Sequence, residues 1–179
     1  MQIETSLIVL GLGSNLGDSK RIILEAVKAL EEILTDLRYA SLYETEPLYV
    51  TDQGRFINTA AAGYFADSPE KLLQHVNKIE SNFGRDRTHE KRWGERTLDI
   101  DILLFGDLLV AEQDLIIPHP RLKERRFALE PLLELLPDAV EPGTGQSYRS
   151  INEALPDQGV RRLTKTAINS RLFFTLNLR

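Results

Sequence analysis

Leu37-Arg38-Tyr39-Ala40-Ser41-Leu42-Tyr43-Glu44-Thr45 and, beyond a polar loop from Glu46-Pro47 to Gly54, Phe56-Ile57-Asn58-Thr59-Ala60-Ala61-Ala62-Gly63-Tyr64-Phe65 decide the fold. The first stretch alternates as a strand half in water, and the second is an alanine-rich strand. With no helical period between them they form a meander, and meander neighbours run antiparallel. On the N-terminal side, Ser6 to Leu12 reads as a buried strand and Gly13 to Gly17 as a loop. Asp18 or Ser19 then caps a helix through about Thr35, with Ile22, Ile23, Ala26, Val27 and Leu30 on its apolar face. On the C-terminal side, Ser68-Pro69-Glu70 starts a second helix whose stripe is Leu72, Leu73, Val76, Ile79 and Phe83. A basic loop leads from there into a strand over Leu98–Phe105. The order is β-α-β-β-α-β, the ferredoxin-like split unit of the α+β class. It predicts an antiparallel sheet with helices on one face and the other face free for a site.

C-terminal additions follow. A short helix is predicted over Arg125 to Leu136, then Pro- and Gly-rich turns, then a helical turn at Ile151 to Leu155. Residues 1–160 read as one domain, and residues 161–179 as a basic tail in which Leu172-Phe173-Phe174 is expected to pack. A chain of 179 residues can bury a sizeable core. Its net charge of −5 argues against a general polyanion binder, so any nucleotide contact must come from a local basic patch. The absence of cysteine excludes disulfides, zinc-thiolate sites and thiol catalysis. No apolar run is long enough to span a membrane, and the N-terminal residues do not read as a signal segment. A cytoplasmic monomer is the expectation.

The chemistry concentrates in Asp99 and Asp101. Residues i and i+2 of a strand share a face, so these carboxylates project side by side while Ile100 and Ile102 turn into a core. Two adjacent anions resist burial and call for positive charge. Arg85, Arg87, Lys91, Arg92 and Arg96 precede them, with Trp93 among them. Arginine suits phosphate through its planar fork, and a hard divalent cation such as Mg²⁺ suits paired carboxylates. The plain alternative is a solvated or salt-bridged pair.

Other motifs weigh less. Gly11-Leu12-Gly13-Ser14-Asn15-Leu16-Gly17 has the wrong spacing for a dinucleotide fingerprint and reads as a tight structural turn. Phe56 and Asn58 share a strand face, either as core residues or as a stacking and hydrogen-bonding pair for a flat heterocycle. Pro118-His119-Pro120-Arg121 and Lys123 to Phe127 form a second basic, aromatic cluster.

Arg92-Trp93-Gly94-Glu95-Arg96-Thr97-Leu98-Asp99-Ile100-Asp101-Ile102-Leu103 closely resembles the signature of the 6-hydroxymethyl-7,8-dihydropterin pyrophosphokinases. Supporting matches occur in order: Gly13 to Gly17, Tyr43 to Leu48, Phe56 to Asn58, Ile79-Glu80, Gly84 to Arg87, and Pro118 to Arg121 leading to Arg125 and Phe127. The resemblance covers roughly residues 6–156. It implies transfer of pyrophosphate from the co-substrate ATP to a pterin hydroxymethyl group in folate biosynthesis, with release of AMP. It further implies that Asp99 and Asp101 hold two Mg²⁺ ions and that Arg85 and Arg96 serve the chemistry beside them. Phe56 and Phe127 would sandwich the pterin, with Asn58, Thr45, Leu48 and Trp93 completing its site. Asn77, Glu80, Arg87, Arg92, Ile102, His119 and Arg125 would lie on the ATP side. Arg85, Arg87, Arg92 and Trp93 would belong to a loop that closes over both substrates. The chain departs from the pattern at Phe56, where some members carry Tyr, at Pro120, where others are aromatic, and at Asn77, which replaces Gln. The rival readings are a ferredoxin-like nucleic-acid-binding module and a non-catalytic nucleotide- or pterin-binding module. The paired aspartates would repel nucleic-acid phosphates without metal.

Overall fold

A computed structural model describes residues 5–47, 52–85 and 94–163 and the backbone of Ile168–Asn169. Strand β1 (Ser6–Ser14) runs up the middle of the sheet, and helix α1 (Ser19–Leu30) follows it. Asp18 caps α1 by accepting from the Arg21 N–H at 3.2 Å. The apolar spacing of Ile23, Ala26, Val27 and Leu30 buries one face of that helix. Strands β2 (Thr35–Tyr39), β3 (Tyr43–Thr45) and β4 (Phe56–Phe65) come next, then α2 (Pro69–Asn82) and β5 (Asp99–Phe105). Ser68 caps α2, and Pro69 occupies its first turn.

The sheet order is β5-β1-β4-β2, with β3 also beside β4, and every pairing is antiparallel. This is the topology the βαββαβ order predicts. Ile8, Leu10, Leu12, Ile57, Ile100, Ile102 and Phe105 face α1 and α2 in the main core.

Up to β5, three boundaries differ from the sequence reading by two residues or more, and beyond it the helical turn predicted from Ile151 begins at Tyr148. Helix α1 stops at Leu30 rather than near Thr35. Glu31, Glu32 and Ile33 tighten into i→i−3 bonds, and Thr35 is drawn opposite Tyr64 of β4. The predicted strand over 37–45 is interrupted because the Ser41 N–H turns to the Glu134 carboxylate at 3.1 Å. Gly13 and Ser14 belong to β1, so the loop begins at Asn15.

The second face of the sheet is not left free. Beyond β5 come a small hairpin, β6 (Val110–Ala111) with β7 (Ile116–Ile117), and a 3₁₀ turn at Leu122–Glu124. Helices α3 (Arg126–Leu135) and α4 (Tyr148–Ala154) follow. Leu129, Leu132 and Leu135 of α3 and Tyr148 of α4 pack on Val9, Ala60, Ala62, Leu103 and Leu104 in a second core. The alanines let α3 sit close to the strands. Leu103 is the extra residue of a bulge in β5 opposite Val9 and Leu10, so Leu103 and Leu104 both serve this second core. The chain then returns to the sheet edge. Arg161–Arg162 (β8) pair with Tyr43 and Glu44, and Ile168–Asn169 (β9) pair with Arg38 and Tyr39.

Candidate active site

Because α3 covers only part of the second face, the rest is an open cleft of about 810 Å³ counted with its mouth. Gly11 and Gly13 form its floor, Asp99 and Asp101 one wall, Thr45, Phe56 and Asn58 another, and Arg125 and Phe127 the rim from α3. The register explains the floor. Gly13 lies between Asn58 and Asp99, and Gly11 between Ala60 and Asp101. A Cβ at Gly13 would come within 3.1 Å of Asn58 Oδ1, and one at Gly11 within 3.3 Å of the Leu103 side chain. These two glycines therefore keep the floor low, a role that the turn reading missed. Gly17 alone of the glycines in that motif has a positive φ, +79°.

The acidic wall is built in two layers. Asp99 pairs with Arg85 through one oxygen and with Arg96 through the other. Behind it, Glu80 is 1 % exposed; it accepts the Ile100 N–H at 2.7 Å and pairs with Arg85. Arg85 thus bridges the end of α2 to the start of β5. Asp101 is held more loosely, with His119 Nε2 at 3.7 Å and Arg125 Nη1 at 3.6 Å from its Oδ2.

The two aspartates titrate in opposite directions. Burial would raise the Asp99 carboxyl, but Arg96 and Arg85 together outweigh it and hold the group below its ordinary value. Asp101 is raised to about 7 by its enclosure and by the Asp99 charge, against the pull of Arg125. His119 is pushed down to about 4, first by burial and then by Arg125. It is therefore neutral near pH 7. Its Nδ1 accepts the Arg121 N–H at 3.2 Å, which leaves Nε2 as the donor toward Asp101.

The donor set suits a bound polyanion and a hard cation. The Nε–H groups of Arg96 and Arg125 are buried and have no partner among the described residues. Asp101 lines the cleft with its side chain 36 % exposed, in a loose ion pair with Arg125. Among the described residues there is no cluster of three or more acidic, histidine or cysteine ligands, so Asp99 and Asp101 do not close the shell of a hard cation by themselves.

The apolar wall carries the heterocycle-sized part of the cleft. Asn58 is 4 % exposed and donates from Nδ2 to Thr45 Oγ1 at 2.9 Å. Phe56 and Phe127 line the cleft from different elements, and the Arg125 guanidinium lies 5.5 Å from the Phe127 ring centre.

Of the residues singled out from sequence, Thr45, Phe56, Asn58, Arg96, Asp99, Asp101, Arg125 and Phe127 line one cleft. Arg85 and His119 stand behind or beside the carboxylates through their ion pairs, and Glu80 supports Arg85. The Ile102 side chain is in the core under the helices, so only its main chain can serve a ligand. Asn77 Oδ1 is buried without a partner among the described residues. Leu48, Arg87, Arg92 and Trp93 lie outside the described residues. Asn15, in the loop after β1, is a functional residue that sequence reasoning misses. Its Oδ1 accepts the Arg96 N–H at 2.8 Å, and its Nδ2 donates to Gln53 Oε1 at 3.1 Å and to the Gly54 carbonyl at 3.2 Å. It therefore ties the end of β1 to the segment that carries Arg96. Its signal was an amide just after a strand.

A family model described as 7,8-dihydro-6-hydroxymethylpterin-pyrophosphokinase (HPPK) matches residues 9–137. The chain belongs to this family. The 2-amino-4-hydroxy-6-hydroxymethyldihydropteridine pyrophosphokinase of Bacillus subtilis is 41% identical over 128 residues, covering 70% of this chain and 75% of that protein. The mitochondrial folate synthesis bifunctional protein of Pisum sativum is 39% identical over 153 residues, covering 85% of this chain and 29% of that protein. This chain thus spans less than a third of that pea protein, and 21% of the folic acid synthesis protein fol1 of Pneumocystis carinii. Among solved structures, an HPPK-DHPS in complex with substrates superposes with a TM-score of 0.69 at 14% identity, covering 91% of this chain and 48% of that one. The wild-type HPPK-DHPS of Plasmodium falciparum gives 0.65 at 16% identity, covering 85% and 45%. At those identities the superpositions speak to the fold alone. Neither comparison favours a nucleic-acid-binding module. No helix among the described residues is long and apolar enough to cross a membrane.

Proposed function

We propose that the protein transfers the β,γ-pyrophosphoryl group of ATP to the hydroxymethyl oxygen of 6-hydroxymethyl-7,8-dihydropterin, in folate biosynthesis. The hydroxymethyl oxygen bonds to the β-phosphorus, the bond from that phosphorus to the α,β-bridging oxygen breaks, and AMP leaves. The observation that carries this reading is one cleft lined by paired aspartates and arginines together with an Asn–Thr pair and two phenylalanines, in a member of the pyrophosphokinase family.

The two groups of residues divide the work. Asp99 and Asp101 fit Mg²⁺, for which we propose two ions; bound there, Mg²⁺ offsets phosphate charge and polarises the transferring group. Arg96 and Arg125 offer unpartnered Nε–H donors to the phosphates. Arg85 fixes Asp99, and Glu80 fixes Arg85. Neutral His119 presents an Nε2–H donor on the phosphate side rather than a second positive charge. Phe56 and Phe127 stack on the pterin ring, and Asn58, oriented by Thr45, reads its amide edge. Leu48 and Trp93 are assigned to the pterin, and Arg87, Arg92, Asn77 and the Ile102 main chain to ATP, on the motif match alone. A monomer acting in the cytoplasm, without nucleic acid or membrane, is the accompanying proposal, although the pea relative is named as mitochondrial.

The test is to incubate the protein with ATP, Mg²⁺ and the hydroxymethyl dihydropterin and to follow AMP. The expected result is AMP formation that requires the pterin and stops on chelation of the metal. AMP at the same rate without pterin, or none with it, overturns the reading.

A further inference from the structure

Helix α3 carries Arg125 and Phe127 at its start, yet the chain there supplies no cap of its own. Arg125 precedes the helix in an extended conformation and makes no side-chain cap hydrogen bond. The cap comes from far along the chain. Gln158 Oε1 accepts the Arg126 N–H at 3.0 Å, and Gln158 Nε2 donates to the Glu124 carbonyl at 2.8 Å. One amide therefore clamps the backbone on both sides of Arg125. The exposed N–H groups of a first helical turn need such acceptors, and the position of the helix start follows the group that supplies them.

The same strap then reaches the opposite wall. Arg162 pairs with Tyr43 in β3, and Tyr43 pairs with Asn58 in β4. Arg162 Nη2 lies 2.9 Å from Glu134 Oε1, and its Nε donates to Ser41 Oγ at 3.0 Å. Glu134, on α3, also accepts the Tyr43 hydroxyl at 2.7 Å. Arg162 and Glu134 thus lock α3 to β3, the strand that ends in Thr45. Both Gln158 and Arg162 lie beyond residue 137, where the family match ends, and neither lines the cleft.

We propose that Gln158 and Arg162 are positioning residues for the pterin half of the site, setting the separation between the Phe127 rim on α3 and the Thr45–Asn58 wall on β3 and β4. The proposal rests on the assignment of that half to the pterin. Asp99 is held independently of the strap, because it takes its partners from Arg85 and Arg96, whereas Asp101 meets Arg125 on the Gln158 side.

The test uses the full-length protein and isothermal calorimetry with the hydroxymethyl dihydropterin and, separately, with Mg²⁺ and a non-hydrolysable ATP analogue, beside the melting temperature. Arg162→Ala is expected to weaken pterin binding about fivefold and to leave nucleotide binding within about twofold. Gln158→Ala is expected to weaken pterin binding by a similar factor and more than nucleotide binding. Gln158→Glu keeps the acceptor for the Arg126 N–H but sets a carboxylate oxygen against the Glu124 carbonyl, so it should recover only part of that loss. Wild-type pterin affinity in either alanine variant removes that residue from the proposal. A lowered melting temperature with both affinities retained, or equal loss of both ligands in Arg162→Ala, overturns it in favour of a merely structural strap. Phe127→Ala serves as the control. If it too leaves pterin affinity unchanged, the pterin assignment has failed. If it alone weakens the pterin, that assignment stands and the strap proposal falls.

Discussion

Where they border the cleft, β1 and β5 present large aliphatic side chains to α1 and α2 and small or polar ones to the opposite side. Ile8, Leu10 and Leu12 of β1 alternate with Val9, Gly11 and Gly13; Ile100 and Ile102 of β5 alternate with Asp99 and Asp101. The helix face is filled along its length. The other is filled only where Ala60 and Ala62 admit α3, and where glycine, asparagine and aspartate replace alanine it stays open as the cleft. The difference teaches that stability and chemistry are allotted to alternate residues of the same strands, so a substitution one residue along a strand should change which of the two is lost.

The sharpest break of that comparison is Asp101→Asn. Turnover is expected to fall roughly a hundred- to a thousandfold in a steady-state AMP assay, since the proposed metal site loses a charged oxygen. The fold should survive and even gain. In the metal-free protein the Asp101 carboxyl is raised to about 7 from an unfolded value of about 3.9. The folded state then binds more protons than the unfolded state between those values, so wild-type stability falls relative to the Asn variant as pH rises from about 4 to about 7. Metal-free melts across that range check the sign, and parallel curves would remove the like-charge account of this site.

One residue away, Ile100→Ala should do the reverse. Ile100 is 4 % exposed beneath the helices, and its truncation is expected to cost about 2–5 kcal/mol in urea unfolding. Metal-dependent turnover per folded molecule should change far less than in Asp101→Asn. Equal losses in both variants would mean that the two faces are not separable.

Two smaller effects sharpen the picture of the open face. Phe127→Ala should weaken pterin binding roughly ten- to thirtyfold in calorimetry while nucleotide binding holds, because it deletes one flat wall. Gly13→Ala places a methyl group 3.1 Å from Asn58 Oδ1 and should weaken the pterin by about three- to tenfold through the displaced amide. A normal pterin affinity in Gly13→Ala would show that the floor has room to spare.

Much of this was legible in the chain. The cap at Ser68 and the span Phe56–Phe65 follow from local chemistry, whereas the choice between Asp18 and Ser19 is decided for Asp18 by its bond to the Arg21 N–H. The common face of Asp99 and Asp101 followed from strand period alone. The break at Ser41 did not, since its cause is a carboxylate on α3, ninety-three positions away. Nor did the floor role of Gly11 and Gly13, which depends on what stands across β1 on both sides.

The sequence by itself determined the order of elements, the antiparallel sheet and the chemical character of the site, because periodicity, caps and a dense motif act over short stretches of chain. Only the tertiary structure decided that α3 covers part of the second face, that Asp99 is paired with two arginines while Asp101 is held loosely, and that Gln158 and Arg162 tie residues 158–162 to α3 and β3. Those outcomes depend on long-range packing and on charges brought together from separate elements, and one-dimensional spacing carries no measure of either.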